Sequence, residues 1–303
     1  MGTPKAAVPT LERLVADRHE VVAVYTQPDR PSGRGNKITY SPVKQFALDK
    51  GIAVLQPAKI RTPEALETLR SHNADAAVVV AYGRILPESF LTALPKGAIN
   101  VHFSLLPKYR GAAPVNWAIA NGEIVTGVTT MQMDAGLDTG NILLQRDIAI
   151  NESETAPELI ERLSLIGAEL LSETLQTLEN ITPREQDESD ASYAPILKRE
   201  DGSIEWDRPA KEIADRVRGF QPFPSSFSYL NGQKVTIWRV DVRDAANAEA
   251  GTVTAVEREG FDVACGDSSV LSVLELQPEG KRRMSAADYT NGARLSPGDR
   301  FGN

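Results

Sequence analysis

The chain has 303 residues and a formal net charge of −8, with 33 basic and 41 acidic residues. Apolar residues make up 41% and charged residues 24%, which excludes a disordered or collagen-like chain, and the length predicts about two domains. The single cysteine, Cys265, excludes an intrachain disulfide framework and a cysteine-based zinc site, and no apolar run reaches the ~18–20 residues of a membrane helix. We therefore expect a cytoplasmic protein with no metal and no membrane segment, in which a local basic patch is still allowed.

The first 180 residues alternate between buried strands and amphipathic helices. Apolar runs at 21–25, 76–81 and 98–103 predict strands, and their lack of alternation indicates a parallel sheet covered on both faces. Thr62 followed by proline predicts a helix start, and the longest helical pattern spans 155–178. This order of elements predicts an α/β domain with a Rossmann-like open parallel sheet.

The composition changes after residue 180. Residues 181–202 are mostly polar and lack periodicity, which predicts a linker. From residue 203 onward the chain is rich in short strands separated by glycines, with one helix near 209–218. The predicted organisation is therefore a first domain at 1–180, a linker at 181–202 and a C-terminal OB-like β-barrel at 203–303.

The densest polar motif, residues 100–111, lies at the end of the third predicted strand. Asn100 and His102 are two residues apart and therefore project from the same face of that strand. Open α/β sheets place their ligand crevice at the carboxyl ends of strands, and a polar pair in an apolar strand needs partners or a function. A satisfied core pair is the alternative. The other histidines, His19 and His72, precede strands and are expected at the surface.

A second motif, residues 134–140, places Asp134 and Asp138 among glycines directly after a predicted strand. Taken alone, this pattern is usual for a turn. A calcium loop is a weaker alternative, because the EF-hand pattern of ligands with a closing glutamate is absent.

Together the two motifs resemble the folate-dependent formyltransferases. The match rests on the blocks at 100–111 and 134–140 with this spacing, and it extends over nearly the whole chain. The supporting segments are individually weak, and they are residues 2–4, 26–31, 33–35, 41–44, 81–83, 86–87, 193–195 and 277–281.

This resemblance implies transfer of a formyl group from 10-formyltetrahydrofolate to the amino group of methionyl initiator tRNA. Asn100, His102 and Asp138 match the catalytic trio of the family. Their chemistry suits these roles, because negative charge develops on the formyl oxygen and an amide and an imidazolium can both donate to it. Histidine also exchanges protons near neutral pH, and a neighbouring carboxylate favours its charged form and fixes its orientation.

The resemblance also implies residues that bind the two substrates. The folate pocket is expected to contain Tyr82, Leu86, Ser104, Leu105, Leu106, Pro107 and Asp134, with core packing as the alternative for the two adjacent leucines. The loop 28–44 carries a net charge of +3, and a second basic patch lies in the barrel. The residues expected to contact tRNA there are Arg30, Arg34, Lys37, Lys44, Lys281 and Arg282. Without the resemblance, we would interpret residues 28–44 as an ordinary solvated loop. We also expect the protein to be a monomer.

The chain departs from the family pattern at its beginning. Family members have an apolar strand before the Gly-Thr-Pro that here occupies residues 2–4. That strand is internal in an open sheet, so we expect its neighbours to keep unpaired backbone groups, each costing about 1–3 kcal/mol if buried. Either the true start lies upstream or the protein is destabilised.

Two other functions stay open. A formyltransferase of the same family could act on a small amine, either a sugar nucleotide or glycinamide ribotide. A catalytically idle RNA-binding protein is the second alternative, since the missing strand makes it plausible. The basic loop and the second domain favour tRNA, because a small acceptor requires neither.

Overall fold

A computed structural model describes residues 1–32, 37–243 and 247–302, without the side chains of residues 32, 37 and 38. The chain forms two compact units. The first contains Met1–Gly111, Val125–Ile148 and Ile160–Ala194, and the second contains Ala112–Ile124, Ala149–Leu159 and Pro195–Asn303. None of the helices in the described ranges combines the length and apolar character needed to cross a bilayer.

Helices and strands are numbered in chain order. The helices are α1 (Val8–Ala16), α2 (Pro42–Asp49), α3 (Pro63–Ser71), α4 (Glu88–Leu91), α5 (Pro114–Ala120), α6 (Ala156–Thr177), α7 (Ala210–Gly219) and α8 (Ala286–Ala293). The strands are β1 (Val24–Tyr25), β2 (Arg30–Ser32), β3 (Lys37–Thr39), β4 (Val54–Leu55), β5 (Ala77–Val79), β6 (Ala98–His102), β7 (Arg110–Gly111), β8 (Val125–Gln132), β9 (Ile142–Ala149), β10 (Tyr193–Ala194), β11 (Ser226–Leu230), β12 (Gln233–Arg243), β13 (Val253–Val256), β14 (Phe261–Ala264), β15 (Val270–Pro278) and β16 (Met284–Ser285).

The first unit is built on a sheet with the strand order β5-β6-β8-β9, and β1 pairs separately with β4. The pairs β1–β4 and β5–β6 are parallel, which confirms the predicted α/β architecture. Strand β8, however, runs antiparallel to β6, with Asn100 opposite Met131 and His102 opposite Thr129. The sequence did not indicate this direction, because β8 is buried along most of its length and burial on both faces is equally compatible with parallel pairing.

Local sequence signals fix the helices that cover this sheet. The Thr62 hydroxyl accepts a hydrogen bond from Ala65 N over 3.2 Å at the start of α3, and Pro63 is its first helical residue, as predicted. Helix α6 lies within one residue of both predicted ends. Its apolar stripe is buried, with Leu159, Leu163, Leu170 and Leu171 at the centre.

A cavity of about 360 Å³ lies between β1 and β5, the strands that would flank the expected first strand. Met1 and Gly2 enter one end of this gap, where Gly2 N donates to Tyr25 O and Val80 N donates to Met1 O, each over 2.9 Å. The two strands belong to different sheets, and the backbone of Met1 and Gly2 bonds to both of them at this end of the gap. The surface prediction for His72 is wrong: it is half-buried in the cavity wall, and its Nε2 lies 3.0 Å from Tyr25 Oη.

The second unit contains an antiparallel sheet with the order β11-β12-β15-β14-β13, and β16 pairs with β15. Its two edges meet at the end of the described chain, because Phe301 bridges Leu230 and Arg300 bridges Thr252. These bridges close the sheet into a barrel, which confirms the predicted C-terminal β-barrel. The rings of Phe261 and Phe301 stack inside it with centroids 5.7 Å apart.

The first part of the segment predicted as a linker is bonded within the first unit. Arg184 and Ile142 exchange two backbone hydrogen bonds, and β10 runs parallel to β7. Sequence periodicity does not reveal such contacts, because isolated backbone bridges require no apolar pattern. The domain boundaries at residues 180 and 203 stay a prediction.

Candidate active site

Asn100 and His102 lie on β6, whose five residues are all buried. The strand has neighbours on both sides, so its side chains can point only above and below the sheet. Asn100 is 8% exposed and His102 is 6% exposed. As the sequence spacing predicted, the amide and the imidazole therefore share one face at the carboxyl end of this strand.

The imidazole of His102 lies between a carbonyl and a carboxylate. Its Nε2 is 3.0 Å from Tyr109 O, and because a carbonyl oxygen can only accept, this nitrogen carries a proton and donates. Its Nδ1 is 3.7 Å from Asp138 Oδ2. A proton gained by the ring is therefore placed on Nδ1, facing the carboxylate.

Asp138 is held on a tight loop between β8 and β9. Its φ is +55°, in the left-handed region, where a non-glycine residue costs about 1–3 kcal/mol unless its surroundings hold it there. The loop also needs glycine at position 140, because a Cβ there would lie 1.8 Å from Gln132 O. Asp134, at the start of the loop, accepts hydrogen bonds from the Thr139 hydroxyl and from Gly136 N, and it is exposed.

The side-chain amide of Asn100 has no hydrogen-bond partner within the described ranges of the chain. A polar group with so little exposure is normally paired with protein or water. Its two donors and one acceptor are therefore available to a ligand at the end of β6.

Four of the residues expected to bind folate, at positions 104–107, follow this strand closely in the chain. Ser104 is buried and donates to Lys108 O over 2.6 Å, and Leu106 N donates to the Thr129 hydroxyl over 3.1 Å. Leu106 packs in a core cluster with Met131 and Ile142, whereas the flanking residues are half-buried, namely Leu105 and Pro107.

Tyr82 and Leu86 follow β5 and pack in a different core cluster. Because β5 is parallel to β6, this segment leaves the sheet at the same edge as Asn100. Tyr82 is 2% exposed, and its hydroxyl is one of the buried polar atoms without a partner among the described residues. Burial raises the pKa of Tyr82 above its ordinary value.

The predicted tRNA-binding residues of the loop differ in how exposed their side chains are. Arg30 is exposed on β2. Lys44 is not free: its side chain is 13% exposed, forms an ion pair with Asp29 and donates to Gln56 Oε1 over 2.8 Å. These contacts lower the pKa of Asp29, mainly through the hydrogen bond from Lys44. Lys44 therefore stabilises the base of the loop.

The remaining predicted tRNA-binding residues are only partly described. Arg34 lies outside the described residues, and the side chain of Lys37 does too, although its backbone is in β3. Lys281 and Arg282 are exposed between β15 and β16. Within the described ranges, no group of three or more histidine, cysteine or acidic side chains is arranged to hold a metal ion.

Sequence reasoning missed a set of residues that supports the site. Arg110 is completely buried, and its guanidinium donates two hydrogen bonds to the carboxylate of Glu188, over 2.9 and 2.8 Å. Its Nε donates to Gln186 Oε1 over 2.9 Å. The partner of Arg110 is thus an acid from the predicted linker. The available signals were an arginine within the first polar motif and a polar segment without periodicity.

Comparison with known proteins identifies the family. The Formyl transferase family matches residues 1–175, and the family of the formyl transferase C-terminal domain matches residues 196–294. The chain belongs to the formyl transferase family. The blocks that carried the resemblance, residues 100–111 and 134–140, lie inside the first match, and the closed barrel lies largely within the second.

Relatives within the family match this formyl transferase over its full length. The methionyl-tRNA formyltransferase of Geobacter metallireducens is 49% identical over 100% of this chain and 97% of its own. That of Solibacter usitatus is 50% identical with the same coverage. Among solved structures, the sugar 3N-formyl transferase WlaRD, with dTDP and 5-N-formyl-THF, has a TM-score of 0.66 at 22% identity, covering 93% of this chain and 97% of that one. This last similarity concerns the fold alone.

Proposed function

We propose that this formyl transferase moves the formyl group of 10-formyltetrahydrofolate to the amino group of methionyl initiator tRNA, and so acts in translation initiation. The observation that carries the proposal is the full-length identity of about half to several methionyl-tRNA formyltransferases. The contact between His102 and Asp138 beside an unpaired Asn100 amide supports formyl transfer at this site.

In the proposed reaction, a bond forms between the amino nitrogen and the formyl carbon, and the bond from that carbon to the folate nitrogen breaks. Asn100 donates to the formyl oxygen, which becomes negative as the amine attacks. His102 accepts the proton lost by the amine on Nδ1 and returns it toward the departing folate nitrogen. Asp138 stabilises the imidazolium between these two transfers.

The folate pocket is proposed to combine the segment 104–107 with Tyr82, Leu86 and Asp134. The Asn100 amide suits a ligand with hydrogen-bonding edges, and the leucines supply an apolar wall. Because Leu86 and Leu106 also pack in core clusters, we propose that they bind ligand with only part of their surface.

The tRNA is proposed to contact Arg30, Arg34 and Lys37 in the loop and Lys281 and Arg282 in the barrel, as phosphate-binding cations. Lys44 is proposed to act indirectly, by holding Asp29 at the base of the loop. We further propose a cytoplasmic monomer, with the domains at 1–180 and 203–303 joined by residues 181–202.

The direct test is formylation of charged initiator tRNA by the purified protein with 10-formyltetrahydrofolate. Asn100→Ala, His102→Ala and Asp138→Ala should each lower kcat by about 10²–10³ while leaving tRNA affinity nearly unchanged. His19→Ala is the matched control, because this histidine is exposed and remote in sequence from both motifs.

Two results would contradict the proposal. Formylation of an amino sugar nucleotide or of glycinamide ribotide in place of tRNA would assign the chain to a small-amine acceptor. A folded preparation that binds tRNA and yields no formylated product would support the idle RNA-binding alternative.

Arg30→Ala should weaken tRNA binding and lower its salt dependence by about one unit of slope, whereas Lys44→Ala should also destabilise the protein.

A further inference from the structure

We propose that Gln186 is a positioning residue, which fixes the carboxylate of Asp138 against His102. The inference rests on the proposed function only for the statement that Asp138 takes part in catalysis. Gln186 Nε2 donates to Asp138 O over 2.8 Å and to Gly140 O over 2.7 Å. A primary amide has two N–H donors, so one side chain holds both carbonyls that flank Thr139.

The orientation of this amide is set from its other end. Gln186 Oε1 accepts from Arg110 Nε, and the guanidinium is held in turn by the bidentate contact with Glu188. Turning the amide over would place N–H groups against the guanidinium and the oxygen against two carbonyls. Only one orientation is therefore compatible with these neighbours, and it directs both donors at the loop.

The contacts form a closed circuit of hydrogen bonds, which links Asp138 to Gln186 and to the dipeptide Arg110-Gly111. Arg110 is bonded to Gln186, which in turn bonds to the loop backbone. Gly111, the residue after Arg110, donates its own N–H to Asp138 Oδ2 over 2.8 Å. The backbone N–H of Arg110 is itself bonded to Ser192 O over 2.8 Å, where β7 meets β10. The main chain and the carboxylate of Asp138 are thus anchored to the same dipeptide.

This circuit matters because the conformation of Asp138 is not one that its sequence favours. A left-handed φ at an aspartate persists only when the surroundings determine it. Here the carbonyls of Asp138 and Gly140 both accept hydrogen bonds from the side-chain amide of Gln186. Without that amide, the carboxylate can leave its place 3.7 Å from His102 Nδ1. We therefore assign to the segment predicted as a linker the task of orienting a proposed catalytic side chain.

Two substitutions at this position separate the donors from the rest of the side chain. Gln186→Met keeps the length and removes every hydrogen bond, whereas Gln186→Glu keeps an acceptor for Arg110 and removes both donors. Each should lower kcat by about 10- to 100-fold, the usual effect of removing a residue that orients a functional group. The KM values for folate and for tRNA should stay within about twofold of wild type, because the amide of Gln186 is bonded to Arg110, Asp138 and Gly140 and is not among the proposed substrate contacts. Gln176→Met is the matched control, since Gln176 is exposed and donates to Ser172 on its own helix.

A second readout does not depend on activity. Hydrogen exchange of the Gly111 amide, followed by NMR, reports its bond to Asp138 directly. It should accelerate about tenfold or more in both Gln186 variants and stay unchanged in Gln176→Met. Glu188→Gln, which loosens Arg110 without altering the loop, should change kcat and exchange in the same direction by a smaller factor. It supplies the answer if both Gln186 variants fail to fold.

The proposal is overturned if the Gln186 variants keep wild-type kcat, or if they lose activity while Gly111 exchange is unchanged. These results are distinct from failure of the proposed function. If the wild-type protein forms no formylated tRNA, the proposed function fails, and Gly111 exchange alone decides whether Gln186 positions Asp138.

Discussion

The backbone N–H of Gly111 donates a hydrogen bond to the carboxylate of Asp138 over 2.8 Å. The oxygen that accepts it is the same one that lies nearest His102 Nδ1. Gly111 has a φ of +120°, and a Cβ at this position would lie 2.7 Å from Ala194 O. Glycine is therefore required where the chain brings this N–H to the carboxylate, and the required residue lies inside the motif that carried the resemblance.

The charge of Asp138, as distinct from its shape, is expected to matter for catalysis. Asp138→Asn retains an acceptor for Gly111 but cannot stabilise an imidazolium, so kcat for formylation should fall by about 10²–10³. Steady-state kinetics together with thermal melting separate this loss from unfolding. Asp147→Asn, at an exposed acid on β9, is the control. Wild-type turnover in Asp138→Asn would show that the charge has no role.

Glycine 140 is expected to tolerate no side chain. A Cβ there meets Gln132 O at 1.8 Å, so Gly140→Ala should destabilise the protein by about 1–3 kcal/mol and lower activity by moving the loop. Gly292→Ala gives the contrast, because it adds a methyl group to helix α8 with nothing within 4 Å. It should be neutral or stabilise by roughly 0.5–1 kcal/mol. Denaturant unfolding of the two variants, run in parallel, tests the assignment, and equal effects would refute it.

The ion pair between Glu188 and Arg110 should make stability depend on pH. The hydrogen bond from Arg110 lowers the pKa of Glu188 below its ordinary value. A carboxyl with a lowered folded pKa adds stability above its unfolded pKa of about 4.3 and loses it as the pH falls through the folded value. Glu188→Gln should therefore be less stable than wild type near neutral pH, and this difference should shrink in acid.

Thermal melting across the pH range checks this expectation. Glu185→Gln, at an exposed glutamate in the same segment, provides the control and should show no such pH dependence. A stability difference between Glu188→Gln and wild type that stays constant down to low pH would rule out the ion pair as its source.

The single thiol is expected to be inert in the folded protein. Cys265 is buried in the barrel core, and burial raises its pKa to about 12. Since only the thiolate reacts, alkylation near pH 8 should be at least about a thousandfold slower than for free cysteine. In denaturant the reaction should proceed at the ordinary rate. Rapid labelling of protein that remains folded would show that the thiol is accessible.

Elements specified by local pattern were predicted well. Helix α6 was located to within one residue because its leucines repeat at helical spacing, and the start of α3 followed from a hydroxyl cap before a proline. The direction of β8 was not predicted, since a strand buried on both faces carries no mark of its orientation. The position of His72 was also missed, because its partner, Tyr25, is 47 residues away in the chain.

The residues of the site likewise divide into those that a local sequence pattern predicts and those that it does not. Asn100 and His102 could be paired from sequence, because a spacing of two puts side chains on one face of a strand. The contact of His102 with Asp138 came from the resemblance and not from the spacing of the motifs. The role of Gln186 could not be predicted from the sequence, because its partners at positions 138 and 140 are 48 and 46 residues away and the hydrogen bonds run to their backbone. Side-chain bonds to distant carbonyls leave no pattern in a sequence.

The bridges formed by Arg300 and Phe301 have a consequence for solubility. They lie along the outer edges of the barrel sheet, next to β13 and β11. Uncovered edges of this kind present free N–H and C=O groups that recruit strands from other molecules. Arg300 and Phe301 therefore occupy part of both edges, which leaves less free backbone for edge-to-edge pairing between molecules.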